Sequence, residues 1–187
     1  DRPGQRLVAT PGAGTNVPIW LLGSSLFSAQ LAAERGLPYA FASHFAPRML
    51  LQAIELYRRL FKPSATLARP YVAIGVPLIA APTDDEAEFL ASSTYQRVLS
   101  ILTGARGLLQ PPVENFAAQL DPQAHAAIND FLAAAVIGGP ETVQRGMATL
   151  LQATRADELM LVSDVFDPAL RLRSLDIAAA ACAALGG

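Results

Sequence analysis

The chain has 187 residues, of which 52% are hydrophobic and 16% charged, and its net charge is −2. Its basic residues are scattered and slightly outnumbered by acidic ones, which argues against a nucleic-acid-binding protein. No apolar run approaches the roughly 18 residues that a membrane-spanning helix requires. The high apolar fraction therefore predicts strands buried on both faces, or a surface that more protein covers.

The single cysteine indicates the cellular compartment of the protein, and the first residues indicate where the chain begins. Cys182 lies in an Ala-rich run, where we expect it to pack in a helix without a disulfide. This suits a reducing, cytoplasmic compartment. Because the first six residues contain neither an initial Met nor an apolar leader, we expect the chain to begin within a longer protein or to have been trimmed.

The hydrophobic pattern predicts four strands after a leading loop. Residues 1–16 are rich in Gly, Pro and Thr and are expected to be this loop, with residues 17–187 forming one domain. The predicted strands are short apolar runs: Val17–Leu22, Pro38–Ala42, Tyr71–Ala81 and Glu158–Ser163. Gly75 and Pro77 within the third of them predict a bulge or bend.

Six helices are predicted from apolar periodicity and from start and stop signals. They are Ser25–Arg35, Pro47–Leu60, Thr83–Leu102, Ala124–Val136, Pro140–Thr154 and Ala169–Leu185. Gly36 is expected to close the first helix, and Thr83 with Glu86 to form a capping box at the third. Strands joined by helices predict a parallel α/β sheet, which leaves both a doubly wound sheet and a (β/α) barrel open. Four βα units make half of an eight-stranded barrel.

The junction between the first strand and the first helix has the layout of an anion site. Gly23 allows close approach of the backbone, Ser24 and Ser25 offer hydroxyls, and Ser28 adds another one turn later. Free backbone amides at a helix N-terminus bind phosphate without a charged side chain. The same residues also fit an ordinary turn in which Ser24 is the helix N-cap. Neither a P-loop nor the three-glycine dinucleotide fingerprint is present.

Three further residues lie where the carboxyl ends of strands place functional groups. His44 follows the second strand and is a candidate acid, base or hydrogen-bond donor, or else a packing histidine of the loop. Asp164 follows the last strand and is a weaker candidate for a ligand contact. Asp167 precedes a proline and is expected to cap a helix.

Several other kinds of site are excluded by the residues present. The acidic run at 84–86 matches the dipole of the helix that follows it, so it is not interpreted as a metal site. His125 is expected to face solvent in a polar helix start. With two distant histidines and one cysteine, there is no plausible zinc set, and no metal is expected. The Gly-x-Ser-x-Gly motif of serine hydrolases is absent.

The segment from Val17 to Pro47 resembles the bacterial luciferase-like, flavin-dependent monooxygenases. Three later segments are similar to parts of the same family: Tyr71–Glu86 to a strand and helix start, Gly138–Val143 to a helix start, and Ala156–Val162 to the last barrel strand. The resemblance extends over about residues 15–180 and implies the C-terminal half of a TIM-type barrel, strands five to eight.

The resemblance also implies a function and a set of partners. Reduced FMN, supplied by a separate reductase, would react with oxygen and a small-molecule substrate at the mouth of the barrel. Gly23, Ser24, Ser25 and Ser28 would hold the flavin phosphate, whereas contacts to the flavin ring would come mainly from an absent N-terminal half. His44 would lie at the mouth with no transferable role, and this half alone would be inactive. Deazaflavin F420 is the less favoured cofactor.

A second hypothesis is a non-catalytic half-barrel that binds flavin or pairs with itself. Half of a barrel exposes two strand edges and an apolar face, so we expect it to self-associate or to require its other half.

Overall fold

The computed structural model describes residues 4, 6–8, 10–105 and 107–186. These residues form five strands, namely β1 (Leu21–Gly23), β2 (Tyr39–Phe41), β3 (Val72–Ala80), β4 (Val136–Gly138) and β5 (Glu158–Val162). They also form six α-helices, namely α1 (Leu26–Arg35), α2 (Leu50–Leu60), α3 (Asp84–Leu102), α4 (Pro122–Phe131), α5 (Pro140–Thr154) and α6 (Pro168–Leu185). None of the described helices is long and apolar enough to cross a membrane.

The strands form one parallel sheet built around β3. Its first residues, 72–74, pair with β2, residues 73–77 pair with β5, and residues 78–80 pair with β4. β1 pairs with β2. The parallel α/β sheet expected from the alternation of strands and helices is confirmed.

One face of the sheet is covered by helices and forms the main core. Tyr39, Phe41, Val72, Ile74 and Val76 point to this face and are almost completely buried. They pack against α1 and α2, which come close together because alanines line their facing sides (Ala29, Ala32, Ala33 and Ala53). Packing of this apolar face stabilises the fold.

The opposite face of the sheet, here called the open face, is covered by a helix only at its carboxyl end, where Ile79 and Ala81 pack against α3. Side chains alternate along each strand, and register partners point the same way. Up to Pro77 the open face therefore consists of Leu22, Ala40, Ala73, Gly75, Pro77, Glu158, Met160 and Val162, of which only Glu158 is charged. Leu22 is 71% exposed and Met160 is 61% exposed. In a closed barrel such residues fill the interior, so the open face is the inner wall of half a barrel.

Two of the predicted strands differ from the observed ones. Strand pairing begins only at Leu21, and Val17 and Ile19 are 68% and 66% exposed. The reason is that β1 is an edge strand whose partner β2 offers three residues. The bulge predicted at Gly75 and Pro77 is wrong, because the register between β3 and β5 runs without interruption from Ala73 to Pro77. Pairing with β2 has already ended at Ile74, so the missing N–H of Pro77 interrupts no ladder with that strand.

β4 was not predicted, since the sequence favoured a helix over Ala124–Val136. The observed helix ends at Phe131, and Val136–Gly138 pairs with the end of β3. An Ala-rich stretch has high helix propensity, but pairing with β3 overrides it. The second predicted helix also begins later, at Leu50, after a short 3-10 turn at Pro47–Met49.

The helix ends follow the sequence signals closely. Gly36 closes α1 in the left-handed conformation, with φ 60°. Asp167 caps α6 by accepting from the amides of Ala169 and Leu170. The capping box predicted at α3 is half present. Thr83 accepts from the amide of Glu86, whereas the Glu86 carboxylate pairs with Arg173. The leading loop falls partly on residues 1–3, 5 and 9, which lie outside the described residues, and its boundary stays a prediction.

Asp84 joins the starts of two helices. It lies in the first turn of α3, but its carboxylate accepts from the amide of Gly139 at 2.6 Å and from the Thr142 hydroxyl at 3.1 Å, both at the start of α5. The hydrogen bond from the Gly139 amide is the main reason that the pKa of Asp84 is lowered. A cap for α5 is thus supplied by α3.

Arg58 of α2 caps the C-terminal end of α5. Its guanidinium donates to the carbonyl of Thr154 at 2.6 Å and to the carbonyl of Arg155. Both carbonyls lie at the C-terminus of the helix, where the dipole favours a positive charge.

We expect Arg58→Gln to lower the free energy of unfolding by about 2 kcal/mol, because two charge-assisted hydrogen bonds are lost. Arg59→Gln is the matched control. Arg59 is adjacent and exposed, and its replacement should change stability by less than about 0.5 kcal/mol. Urea denaturation followed by circular dichroism measures both. Equal losses in the two variants would contradict the capping role.

Asp84→Asn is expected to lower Tm by a few degrees at neutral pH. Since the folded-state pKa of Asp84 is lowered from 3.8, its carboxylate stabilises the fold above that value. This contribution is lost as the pH falls through the lowered pKa, so the Tm difference from the wild type should shrink in acid. Asp85→Asn removes a carboxylate from the same helical turn and controls for the helix dipole. A Tm difference independent of pH would rule out the charge as its cause.

Candidate functional site

The junction of β1 and α1 forms a hydrogen-bonded turn around Ser25. Ser25, with extended φ and ψ of −136° and 161°, is the N-cap of α1, which corrects the expectation that Ser24 caps the helix. Its hydroxyl accepts from the amide of Ser28 at 3.2 Å, and its own amide donates to the Ser28 hydroxyl at 3.3 Å. The two serines form a reciprocal capping box.

Ser28 faces the interior of the protein. It is 8% exposed, its hydroxyl donates to the carbonyl of Ser25 at 2.7 Å, and the Tyr39 hydroxyl lies 3.0 Å from it. A hydroxyl has one proton to donate, and here that proton is committed to the Ser25 carbonyl. The Tyr39 hydroxyl can then donate to the Ser28 oxygen, and it also lies 3.3 Å from the same carbonyl; burial raises the pKa of Tyr39. Ser28 therefore supports the turn from beneath.

Gly23 is required by the position of Ser28. A Cβ at Gly23 would lie 2.3 Å from the Ser28 Oγ and 2.4 Å from its Cβ. Both distances are far shorter than any van der Waals contact, so only glycine fits here. The structure thus shows that Gly23 leaves space for the Ser28 side chain. The close approach of an anion to its backbone, expected from the sequence, remains a prediction.

The outer side of the same turn remains available to a ligand. Ser25 is exposed and Ser24 half-buried. The amides of Leu26 and Phe27, in the first turn of α1, have no intrahelical partner. That turn contains no acidic side chain, so nothing on it neutralises the positive end of the helix dipole. The arrangement leaves amides and a hydroxyl free at a positive helix end, and the anion site remains a prediction.

His44 lies next to this turn at the end of β2. The amide of Ala42, two residues before it, donates to the carbonyl of Gly23 at 2.9 Å. The imidazole lies over Gly75 of β3, with Nδ1 only 2.8 Å from the position that a Cβ there would occupy. Its ring centroid is 4.2 Å from that of Phe45. Nδ1 is buried and has no hydrogen-bond partner among the described residues.

A cavity of about 170 Å³, here called the mouth cavity, lies beside His44 at the carboxyl ends of β3 and β5. Pro77 and Val162 of the open face form its floor. The side chains that enclose it from α3 and from the end of α4 include Thr94, Arg97, Val98, Ile101, Phe131 and Leu132.

Asp164 also lines the mouth cavity, where it forms an ion pair with Arg97. The sequence offered Asp164 as a candidate ligand contact, and the structure gives it a partner within the protein. Arg97 and Thr94 were missed because a polar residue on a long helix carries no sequence signal of the strand ends it will face. His125 hydrogen-bonds with Asn129 and is exposed, as predicted.

Comparison with known proteins identifies the family. Residues 2–158 match the family model described as luciferase-like monooxygenase. The chain is 47% identical over 171 residues to the uncharacterized protein YvbT of Bacillus subtilis, covering 91% of this chain and 51% of that protein. It is 43% identical over 176 residues to a luciferase-like monooxygenase of Escherichia coli, covering 94% of this chain and 52% of that protein. The chain therefore belongs to the luciferase-like monooxygenase family, and it spans about half the length of these curated relatives.

Solved structures agree with this assignment. Apo-MsnO8 superposes with a TM-score of 0.78 at 30% identity, covering 96% of this chain and 55% of that one. The oxygenating constituent of 3,6-diketocamphane monooxygenase from Pseudomonas putida gives a TM-score of 0.59 at 23% identity, covering 86% of this chain and 46% of that one, which supports the fold alone. The expected fold, one half of a TIM-type barrel, is confirmed.

Gly23→Ala tests the packing beneath the turn. The added methyl group would collide with Ser28, and we expect overpacking to lower the free energy of unfolding by about 2 kcal/mol. Gly107→Ala adds the same group where nothing lies within 4 Å and should change stability by less than about 0.5 kcal/mol. Urea denaturation compares the two. Equal stability of both variants would show that Ser28 moves aside freely.

Proposed function

We propose that the chain is the C-terminal half-barrel of an FMN-dependent luciferase-like oxidoreductase and supplies the flavin phosphate site. The observation that carries this proposal is the start of α1, with an exposed N-cap serine, free amides and no acidic residue in its first turn. Phosphate groups bind at such helix starts through backbone amides and hydroxyls. Membership of the family supplies the cofactor class.

The residues present fit a phosphate group, and the three serines would have different roles in binding it. Ser24 would donate to the phosphate, together with the amides of the first turn of α1. The Ser25 hydroxyl, which now donates to the Ser28 oxygen at 3.3 Å, would turn outward to do the same. Ser28 would act from beneath, because its proton already goes to the Ser25 carbonyl. Gly23 would keep the space that this support needs.

When bound, the flavin would supply the redox chemistry, with oxygen and a small molecule as co-substrates and a separate reductase as the source of reduced flavin. This chain's own residues would bind the phosphate, hold His44 at the barrel mouth over Gly75, and exclude water from the mouth cavity. Contacts to the flavin ring would come mainly from the other half of the barrel, so this half alone would be inactive.

FMN is preferred to F420 because the sequence relatives include proteins named as luciferase-like monooxygenases. Among the structural neighbours, the 3,6-diketocamphane enzyme is a complex with FMN, whereas a secondary alcohol dehydrogenase at 12% identity (TM-score 0.57) is F420-dependent. Both cofactors contain a phosphate that the start of α1 would bind. Titrating the protein with each cofactor in turn would decide between them.

The open face supports a second half-barrel as the protein partner. It is mainly apolar, with Glu158 as its charged residue, and β1 and β5 each have a single pairing partner among the described strands. Uncovered apolar surface and free strand edges favour association. The alternative function, a non-catalytic half-barrel that pairs with itself, draws on the same observation. Analytical ultracentrifugation of this chain, alone and mixed with the N-terminal half of the Escherichia coli relative, would distinguish the two functions. A homodimer that does not bind the added half favours the alternative.

Ser25→Asp tests the phosphate site. Asp is a good N-cap, so we expect α1 and Tm to be preserved, whereas repulsion between two negative charges should weaken FMN binding by at least about a hundredfold. Ser25→Asn keeps the cap without the charge and should lose no more than about tenfold. Fluorescence titration would be made on this chain in complex with the N-terminal half of the Escherichia coli relative.

Riboflavin, which lacks the phosphate, provides the second control. Its affinity should be the same in the wild type and in Ser25→Asp. FMN affinity that survives in Ser25→Asp would refute the phosphate assignment, and the absence of any flavin binding by the wild-type complex would refute the proposed function.

A further inference from the structure

A second, more open cavity adjoins the mouth cavity. This outer cavity, of about 370 Å³, shares four lining side chains with it: Phe45, Arg97, Ile101 and Phe131. The two cavities therefore lie side by side along these walls. The walls are mainly apolar, as in most small-molecule sites.

The charged side chains that line the mouth cavity neutralise each other. They are Arg97 and Asp164, which form an ion pair at its edge, and Arg97 also lines the outer cavity. The pair is exposed, with side chains 44% and 38% accessible, so it contributes little by itself. Because its two charges offset each other and the other walls are mainly apolar, the lining gives a charged ligand no net counter-charge to compensate for lost hydration. The mouth cavity therefore suits an uncharged molecule.

Two side chains of the mouth cavity carry buried polar atoms without a partner among the described residues, the Thr94 Oγ1 and the His44 Nδ1. Threonines within helices usually bond the carbonyl four residues earlier. Thr149 and Thr154 do so, at 2.9 and 2.6 Å, but Thr94 does not. Leaving a buried polar atom unpaired costs about 1–3 kcal/mol, so this exception calls for a partner.

We propose that the mouth cavity binds the oxygen-bearing end of a small, uncharged, largely apolar molecule, with Thr94 and His44 as its hydrogen-bonding partners. Thr94 lines the cavity and its Oγ1 has no other partner among the described residues, so its hydroxyl is free to bond a ligand there. A ligand hydroxyl both donates and accepts, so it satisfies either tautomer of His44. The volume equals that of five or six waters in the liquid, at about 30 Å³ each, which suits one small ring.

Calling this molecule the substrate rests on the proposed function, but its binding can be measured without flavin. Cyclohexanol is the probe, titrated into the flavin-free chain with ¹⁵N-labelled histidine. The chain has two histidines, and exposed His125 is an internal reference. We expect a saturable shift of the His44 ring nitrogens and none at His125. Cyclohexylammonium and cyclohexanecarboxylate should bind at least about tenfold more weakly, because each brings an uncompensated charge.

Three variants locate the bound alcohol. Thr94→Val keeps the shape of the side chain and removes the unpaired hydroxyl, so affinity should fall about five- to tenfold while Tm stays equal or rises. His44→Phe should lose a similar factor, measured by the ¹H shifts of cyclohexanol. Val162→Phe fills the cavity floor and should abolish binding. Wild-type affinity in Thr94→Val or in Val162→Phe would overturn the proposal.

The same titration separates this proposal from the flavin phosphate site. Ser25→Asp should bind cyclohexanol as the wild type does, even where it no longer binds FMN. Failure of FMN binding with cyclohexanol binding intact would refute the proposed function alone. An unshifted His44, or equal binding of the charged analogues, would refute the mouth-cavity site alone.

Discussion

The pairing of β3 with three other strands is the constraint on which the rest of the structure depends. Its nine residues offer successive segments to β2, β5 and β4, so strands from distant parts of the chain are aligned by one element. The alternation of its side chains then divides the sheet in two. Val72, Ile74 and Val76 are buried under helices, whereas Gly75 and Pro77 lie on the open face.

The same strand also places the features of the barrel mouth. Gly75 leaves room for the imidazole of His44, which comes from the end of β2. Pro77 forms part of the floor of the mouth cavity. Two residues that look like interruptions of a strand are therefore the residues that a packed histidine and an open space require. Substitution of Gly75 by a larger residue would displace His44 before it disturbed the helix-covered core.

The sequence was sufficient to predict the six helices, the parallel sheet and a turn between β1 and α1, because these depend on local signals, although it placed the N-cap of α1 at Ser24 in place of Ser25. Caps at Thr83 and Asp167, the glycine after α1 and the apolar runs all act within a few residues. It was insufficient for β4, whose three residues are a strand only because β3 ends beside them. The strand propensity of three residues does not depend on whether a distant strand is there to pair with them, so it cannot predict this strand.

The candidate site, too, could be predicted where it depends on neighbouring residues and could not be predicted where it depends on distant ones. Ser24, Ser25 and Ser28 lie in one segment, so their layout could be predicted, but the inward direction of Ser28 depends on Tyr39 across the sheet. Thr94 and Arg97 were not predicted, since they reach the mouth from α3, a helix that follows β3 in sequence and closes over its end in space. Contacts of this kind join residues far apart in sequence, such as Arg97 and Asp164, and leave no local pattern.

The bridging role of Asp84 has a wider consequence for how this half-barrel handles anions. Among the described helices, α3, α4, α5 and α6 each have a carboxylate of the protein itself at the N-terminus, from Asp84, Asp121 or Asp167. α1 has only neutral hydroxyls there. A tethered carboxylate competes with any dissolved anion at the millimolar effective concentrations of an intramolecular partner or higher. The chain's own carboxylates thus occupy the starts of these helices, whereas α1 and α2 begin without one. Of these two, only α1 has a capping hydroxyl at its start, so the proposed phosphate site is the helix start at which side-chain hydroxyls meet no competing carboxylate.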